Sequence, residues 1–361
     1  MLTRSDLAAL YTEHRHSRVL SIYLDADEHD PARRRAWRRS LDKLLYSARE
    51  TADSTGELDA FDRAEALLKK DLRQYDAFLP GRGWAGFATA DQLLYAETLP
   101  VPMPDLGCWE DGLRAAPYVR ALKQALPVIT VLVDSRHAQL YEYRQGDFAE
   151  IDSVDADRFF GDLSDVNMSK RATTHSGVRG MTDTDAAHRI EEVGVERLLK
   201  SLVESVPAQA GADGTVIVGG PAAMATKLVQ RLRKQMDGRV VEDSSLAFHM
   251  SPAELRAATE ASASKATLAR QASLVGQVAD LSASGGRGSL GREKTESALA
   301  ARQVEMLLLS RQFSLDNPLF ADHCVGAALE QDADVEEIGG DAATRLDSDG
   351  GGIGARLRYT T

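Results

Sequence analysis

No apolar run reaches the length of about 18 residues that a membrane-spanning helix needs, so none is expected in this 361-residue chain. The first residues, Met1-Leu2-Thr3-Arg4-Ser5-Asp6, lack the basic-then-apolar pattern of a signal peptide. Only two cysteines occur, Cys108 and Cys324, far apart in sequence. They give neither a disulfide framework nor metal-ligand spacing. The expectation is a cytoplasmic protein without cofactor. Cations are in deficit: 43 Lys and Arg stand against 55 Asp and Glu, a net charge of −12. That excludes a generic nucleic-acid coat, which needs clustered cations for phosphate, but leaves room for local basic patches.

What is present is a chain too long for one ordinary domain, with 43% hydrophobic residues to build cores. Residues 19–24 read as a strand. Pro31 opens a helix whose apolar positions Trp37, Leu41, Leu44, Leu45 and Ala48 recur at helical spacing. A second helix covers 58–72, and 84–89 with 93–98 form a hairpin around Asp91. Pro100, Pro102 and Pro104 make a rigid connector. Residues 1–125 are therefore an α+β domain.

From Pro127 the pattern changes. Residues 128–133 are a continuous apolar strand, followed by 140–143 and 148–154 as an antiparallel meander. The polar stretch 162–189 has no periodicity and reads as a loop. A helix at 190–203, a strand at 215–218, a helix at 222–236 and a strand at 239–241 give an α/β domain over 126–266. A helical stretch from Pro252 to about residue 281 meets the glycine-rich segment 284–291. Beyond it come a helix at 295–302, a strand at 304–310, a helix near 325–331 and strands around Val335 and Leu357. These make residues 267–361 a small α/β sandwich. The closing Gly350-Gly351-Gly352-Ile353-Gly354 marks a tight entry into a buried strand. No internal repeat is evident.

Several chemical motifs fail on spacing. His14, His16 and His29 fit no metal-ligand pattern. In residues 286–292 the Lys and Ser/Thr that a phosphate loop needs are missing after Gly291. Val218-Gly219-Gly220-Pro221 reads as a strand-to-helix turn, because Pro221 removes a donor that an anion would use. Asp134, Ser135 and His137 fit a hairpin turn better than a nucleophilic triad, since adjacent strand side chains point to opposite faces.

Three segments, in order, resemble the archaeo-eukaryotic peptide-chain release factors and their relative Pelota. They are Val131-Leu132-Val133-Asp134-Ser135-Arg136-His137-Ala138-Gln139-Leu140-Tyr141, the step from Glu296-Ser297-Ala298-Leu299 to Val304-Glu305-Met306-Leu307-Leu308-Leu309, and the GGGIGARLRY ending. The resemblance implies an RNase-H-like middle domain and a C-terminal domain like the ribosomal proteins that bind kink-turn RNA. A release factor of this type carries Gly-Gly-Gln at the tip of a middle-domain loop. Here that loop, residues 167–181, has no glutamine. The stop-codon motifs Asn-Ile-Lys-Ser and Tyr-x-Cys-x-x-x-Phe are also missing. The chain is thus similar to bacterial members of the group, including Balon-type ribosome hibernation factors, that keep a transfer-RNA-like shape and lose the chemistry.

The resemblance implies a non-catalytic protein in the A site of idle or stalled 70S ribosomes, with elongation factor Tu as a second partner and a monomeric state. Rescue or peptidyl-tRNA hydrolysis is the enzymatic alternative, with His175 or Arg179 positioning water. A stress-linked RNA-binding module acting away from ribosomes is the third reading. On this view Lys170, Arg171, His175, Arg179, His188 and Arg189 on the polar loop contact rRNA. The plain alternative is a solvated loop diluted by Asp162, Asp165, Asp183 and Asp185. Arg33, Arg34, Arg35, Arg38 and Arg39 make a second candidate contact. Their like charges at i,i+4 repel unless an anion intervenes. Neutralisation by Asp25, Asp27, Glu28 and Asp30 is the alternative there.

Overall fold

A capping box starts the chain's order: the Thr3 hydroxyl accepts from the Asp6 backbone N–H and the Asp6 carboxylate accepts from Thr3 N–H, opening α1 (Arg4–His14). The computed structural model describes residues 1–156, 183–236 and 238–359, with the side chains of 183–191 left aside. β1 (Arg18–Asp25) follows, then a 3₁₀ turn at Pro31–Arg33 and α2 (Ala36–Ser54). The expected helix from Pro31 is therefore split. The Asp30 carboxylate accepts from Ala32 N–H and closes a short turn, and the α-helix begins only at Ala36. α3 (Leu58–Leu72), β2 (Gly83–Ala88), β3 (Leu93–Leu99), β4 (Leu106–Asp111) and α4 (Ala116–Gln124) complete the segment. The sheet order is β3-β2-β1-β4, and β1 pairs antiparallel with both neighbours. α2 and α3 bury Trp37, Leu41, Leu45, Phe61 and Leu68 against one face of it.

β5 (Val128–Val133), β6 (His137–Arg144) and β7 (Asp147–Asp155) form the expected meander. α5 (Asp183–Ala210), β8 (Thr215–Gly219), α6 (Ala222–Leu232), β9 (Val240–Glu242) and α7 (Pro252–Ala283) follow. The sheet order is β7-β6-β5-β8-β9, antiparallel through β5 and parallel from β5 to β9. This is the order and direction of an RNase-H-like sheet. β5 and β8 are buried continuous apolar runs, as strands covered on both faces must be. The loop expected at 162–189 differs at its end: residues 183–189 already belong to α5. Residues 157–182 lie outside the described residues.

The last segment holds β10 (Gly288–Leu290), α8 (Arg292–Ala300), β11 (Val304–Ser310), α9 (Arg311–Asp316), α10 (Pro318–Glu330), β12 (Asp334–Ile338), α11 (Gly340–Gly350) and β13 (Ile353–Leu357). Its sheet, β10-β13-β11-β12, places the final strand internally. Along β11 side chains alternate: Leu307 and Leu309 join the core that holds α10, and Leu308 joins the one that holds α11 and the later turns of α7. The glycine ending works as expected. Gly351 caps α11 with φ 56°, and a Cβ at Gly352 would meet the Phe313 Cβ at 2.6 Å.

Contacts gather residues 1–125 and 268–361 into one compact unit and residues 126–267 into another. Within the first unit a single core mixes both ends of the chain, from Leu7, Val19, Tyr23 and Tyr118 to Leu307, Cys324, Val325 and Leu329. α10 is the joint. It packs against α1 and α4 from the early segment and against β11, β12 and α8 from the late one, so it is apolar almost all round. Gly326 gives the ring of Tyr11 its place, because a Cβ there would overlap the ring.

Beside it, the Asp322 carboxylate accepts from Ala116 N–H at 2.8 Å and caps α4. Arg114, also buried, donates to both Glu110 oxygens at 2.7 and 2.5 Å, and stands 3.9 Å from Asp322. Glu110 thus takes most of that guanidinium. Burial then dominates at Asp322 and pushes its carboxyl up to about 7, against the pull of Arg114 and the helix N–H groups.

Two outcomes follow from this joint. Gly326→Ala must displace Tyr11 and should cost about 1–3 kcal/mol in chemical denaturation. Pairing it with Tyr11→Ala should recover part of that loss, and strictly additive losses would show that the two do not share a space. For Asp322 the folded-state pKa is raised, so its stabilising contribution is complete at acid pH and fades as pH rises through about 7. Asp322→Asn should flatten the fall in melting temperature between pH 5 and 8. An unchanged pH profile would contradict the assignment.

Candidate nucleic-acid interface

The five arginines around the start of α2 do not form one face. Arg33 pairs with Glu28 at 3.2 Å. Arg35 donates to the Asp76 backbone carbonyl and to its carboxylate, both at 3.0 Å. Arg38 donates to the carbonyls of Tyr75 at 3.0 Å and Asp76 at 3.2 Å, with its guanidinium 5.2 Å from the centre of the Trp37 ring. Three of the five therefore hold structure. Arg34 and Arg39 are exposed and have no partner among the described residues.

The neutralising acids also differ from the expected ones. Of the four upstream carboxylates, Glu28 alone takes one of these arginines. Asp27 is held by Arg82 through two bonds of 3.0 and 2.7 Å, which keeps its carboxyl below the usual range, and Asp30 caps the 3₁₀ turn. The main counter-ion is Asp76, 41 residues from Arg35 and invisible to local reading. Folding brings it in because α3 ends at Leu72 and the chain turns back over the start of α2.

Lys170, Arg171, His175 and Arg179 lie outside the described residues. His188 and Arg189 fall in the early turns of α5, in the second unit, whereas the arginine cluster belongs to the first.

The discarded motifs have structural explanations. The Asp134 carboxylate accepts from the N–H groups of Arg136 and His137, both at 2.7 Å, and so closes the β5–β6 hairpin. The His137 ring stacks on Phe248 at 4.8 Å. Gly220, at φ 109°, donates its N–H to the Leu246 carbonyl, so that donor is not free for an anion. In the glycine-rich segment, residues 288–290 are strand, paired antiparallel with β13. Burial, reinforced by Glu110, raises the Cys108 thiol, and burial pushes Cys324 up to about 12; both are poor nucleophiles. Among the described residues no group of three or more His, Cys, Asp or Glu could hold a metal ion, and no helix is long and apolar enough to cross a membrane.

Residues 114–272 match the model of bacterial archaeo-eukaryotic release factor family 10. Over that stretch the chain is similar to this family. The matched stretch takes in α4 and the whole RNase-H-like unit. No Gly-Gly-Gln occurs anywhere in the sequence. No curated protein matches the chain.

Solved structures that it resembles include an archaeal translation termination factor, aRF1, at 15% identity over 99% of both chains with a TM-score of 0.25. Archaeoglobus fulgidus Pelota matches at 16% identity over 77% of this chain and 79% of its own, with a TM-score of 0.34. S. cerevisiae Dom34, described as a translation termination-like factor involved in RNA quality control and interacting with Hbs1, matches at 11% identity over 66% and 65%, with a TM-score of 0.43. At these identities and TM-scores the likeness carries no activity across.

The sorting of the arginines has a direct test. Arg35→Ala removes the anchor to Asp76 and should cost about 1 kcal/mol of stability. Arg39→Ala should fall within about 0.5 kcal/mol of the parent, as an unpartnered surface change does. Equal losses in thermal denaturation would refute the division.

Proposed function

We propose that this protein is a non-catalytic ribosome-binding factor that occupies the A site of idle or stalled bacterial ribosomes. The observation that carries the reading is the release-factor segment at 114–272 in a chain without Gly-Gly-Gln. A scaffold related to termination factors but lacking the tripeptide that promotes peptidyl-tRNA hydrolysis is left with occupancy as its mode of action. A bound factor blocks transfer RNA and shields rRNA.

With a net charge of −12, attachment cannot rest on a diffuse positive field. It rests on local cations placed against phosphate, and of the five arginines around the start of α2, Arg34 and Arg39, without a partner among the described residues, are free to serve. Loop residues Lys170, Arg171, His175 and Arg179, with His188 and Arg189, are proposed as a second contact to rRNA. Elongation factor Tu is a proposed companion, and a monomer is the proposed working state.

Cosedimentation with 70S ribosomes from starved cells tests the reading. The protein should travel with 70S particles at low salt, be displaced as salt rises, and compete with A-site transfer RNA. Absence from the 70S fraction at low salt would remove the proposal. Release of peptide from a defined peptidyl-tRNA complex at a rate above background would replace it with the hydrolytic alternative.

A further inference from the structure

The pairing of the last sheet gathers three separated chain positions at one of its ends. β13 runs antiparallel to β10 and β11, so its exit at Leu357 meets the entries to both, near Gly288 and Val304. Leu357 N–H donates to the Arg287 carbonyl at 2.9 Å, and Arg358 N–H donates to the Gln303 carbonyl at 2.8 Å. Arg287, Arg302 and Arg358 are thereby brought to this end, all exposed. The Arg287 guanidinium donates to the Arg358 carbonyl at 3.3 Å. The Tyr359 hydroxyl donates to the Arg302 carbonyl, also at 3.3 Å. The Tyr359 side chain therefore reaches from the end of β13 to the Arg302 turn, and the residue stays 51% exposed.

Charge sets this end apart in a chain of net charge −12. Its acids are already taken: Asp332 lies 3.5 Å from Arg4, Asp334 2.8 Å from Lys123 and Glu305 3.1 Å from Arg356. The guanidinium of Arg287 donates to a backbone carbonyl, and that of Arg358 to the carbonyls of Gln331 and Asp332. Such bonds satisfy N–H groups without cancelling charge. The Arg302 side chain has no partner among the described residues. Three positive charges thus stand together with no carboxylate at ion-pair distance among the described residues. The backbone adds a second observation. α8 closes in a Schellman turn, with Gln303 N–H on the Ala298 carbonyl and Arg302 N–H on the Leu299 carbonyl. Arg302 takes its left-handed position at φ 56°, where glycine is favoured. A cation is kept at a place where losing the side chain would relieve strain.

We propose that this end of the sheet binds a single-stranded RNA segment, with a base stacked on the Tyr359 ring and phosphates held by Arg287, Arg302 and Arg358. Uncancelled charge selects a polyanion, and guanidinium forks suit phosphate. The exposed ring beside them suits an unpaired base, whose face a duplex keeps stacked. The inference rests on the ribosome-binding reading for where such RNA is met, but the chemistry of this surface is measured separately.

Fluorescence anisotropy of the full chain with a labelled, unstructured oligoribonucleotide at low salt supplies the test, beside a duplex of equal length and a polyglutamate peptide. The single strand should bind most tightly. Tyr359→Ala should weaken it about 5- to 150-fold and Tyr359→Phe about twofold or less. Arg302→Gly should keep or raise the melting temperature, because glycine suits the left-handed turn, and should still lower the salt slope by about 0.7. No binding by the parent, duplex or polyglutamate binding equal to the single strand, unchanged affinity in Tyr359→Ala, or an unchanged slope in Arg302→Gly overturns the assignment. If the parent sediments with ribosomes while its RNA affinity is independent of Tyr359, this inference fails and the ribosome reading stands. If Tyr359-dependent RNA binding is present without ribosome binding, the ribosome reading fails and this surface stands.

Discussion

The packing of α10 between the two ends of the chain is the constraint on which the first unit depends. A helix that is apolar almost all round cannot rest at a surface. Its neighbours come from sequence positions more than 200 residues apart, as the Ala116–Asp322 hydrogen bond shows (|i−j| of 206). Each Leu or Val fully buried there contributes about 1.5–3 kcal/mol, but only if both segments are present. Residues 1–125 and 268–361 are thus not two independent lobes in energetic terms. The Tyr11–Gly326 contact and the Asp322 cap fix the register of the joint, and ion pairs such as Arg120–Glu337 and Lys123–Asp334 line its rim.

That arrangement has a consequence for α2. The helix is braced on a sheet whose central strand, β1, belongs to the same shared core through Val19 and Tyr23. Its outer face is presented by a rigid element rather than a loop, which lowers the ordering cost of any contact it makes. The partners of its arginines sort them physically: those reaching Asp76 and Glu28 stabilise the turn between the 3₁₀ helix and α2, and those that reach nothing remain available for a ligand.

Local physics made much of the fold readable. Continuous apolar runs marked β5 and β11 residue for residue, and helical spacing marked α3 at its observed limits. The glycine ending predicted a tight, buried strand because each of its constraints is local. α1, α4, α9 and α11 were not legible. They are short, 6 to 11 residues, which leaves a helical period no more than about three turns in which to show itself. The joint was hidden for a different reason. Asp322 and Gly326 look ordinary on a helix, and only the partner segment gives them meaning. The arginine cluster was found, but Asp76 was not, because a counter-ion brought in by the end of α3 leaves no local signal.

Hydrogen exchange of the full chain tests the shared core most directly. Amides of β1 and β11 lie in opposite ends of the sequence and in different sheets. If one cooperative unit holds both, they open with the same free energy and shift together when Gly326→Ala weakens the joint. Opening of β1 while β11 keeps its protection, before and after that substitution, would contradict the account.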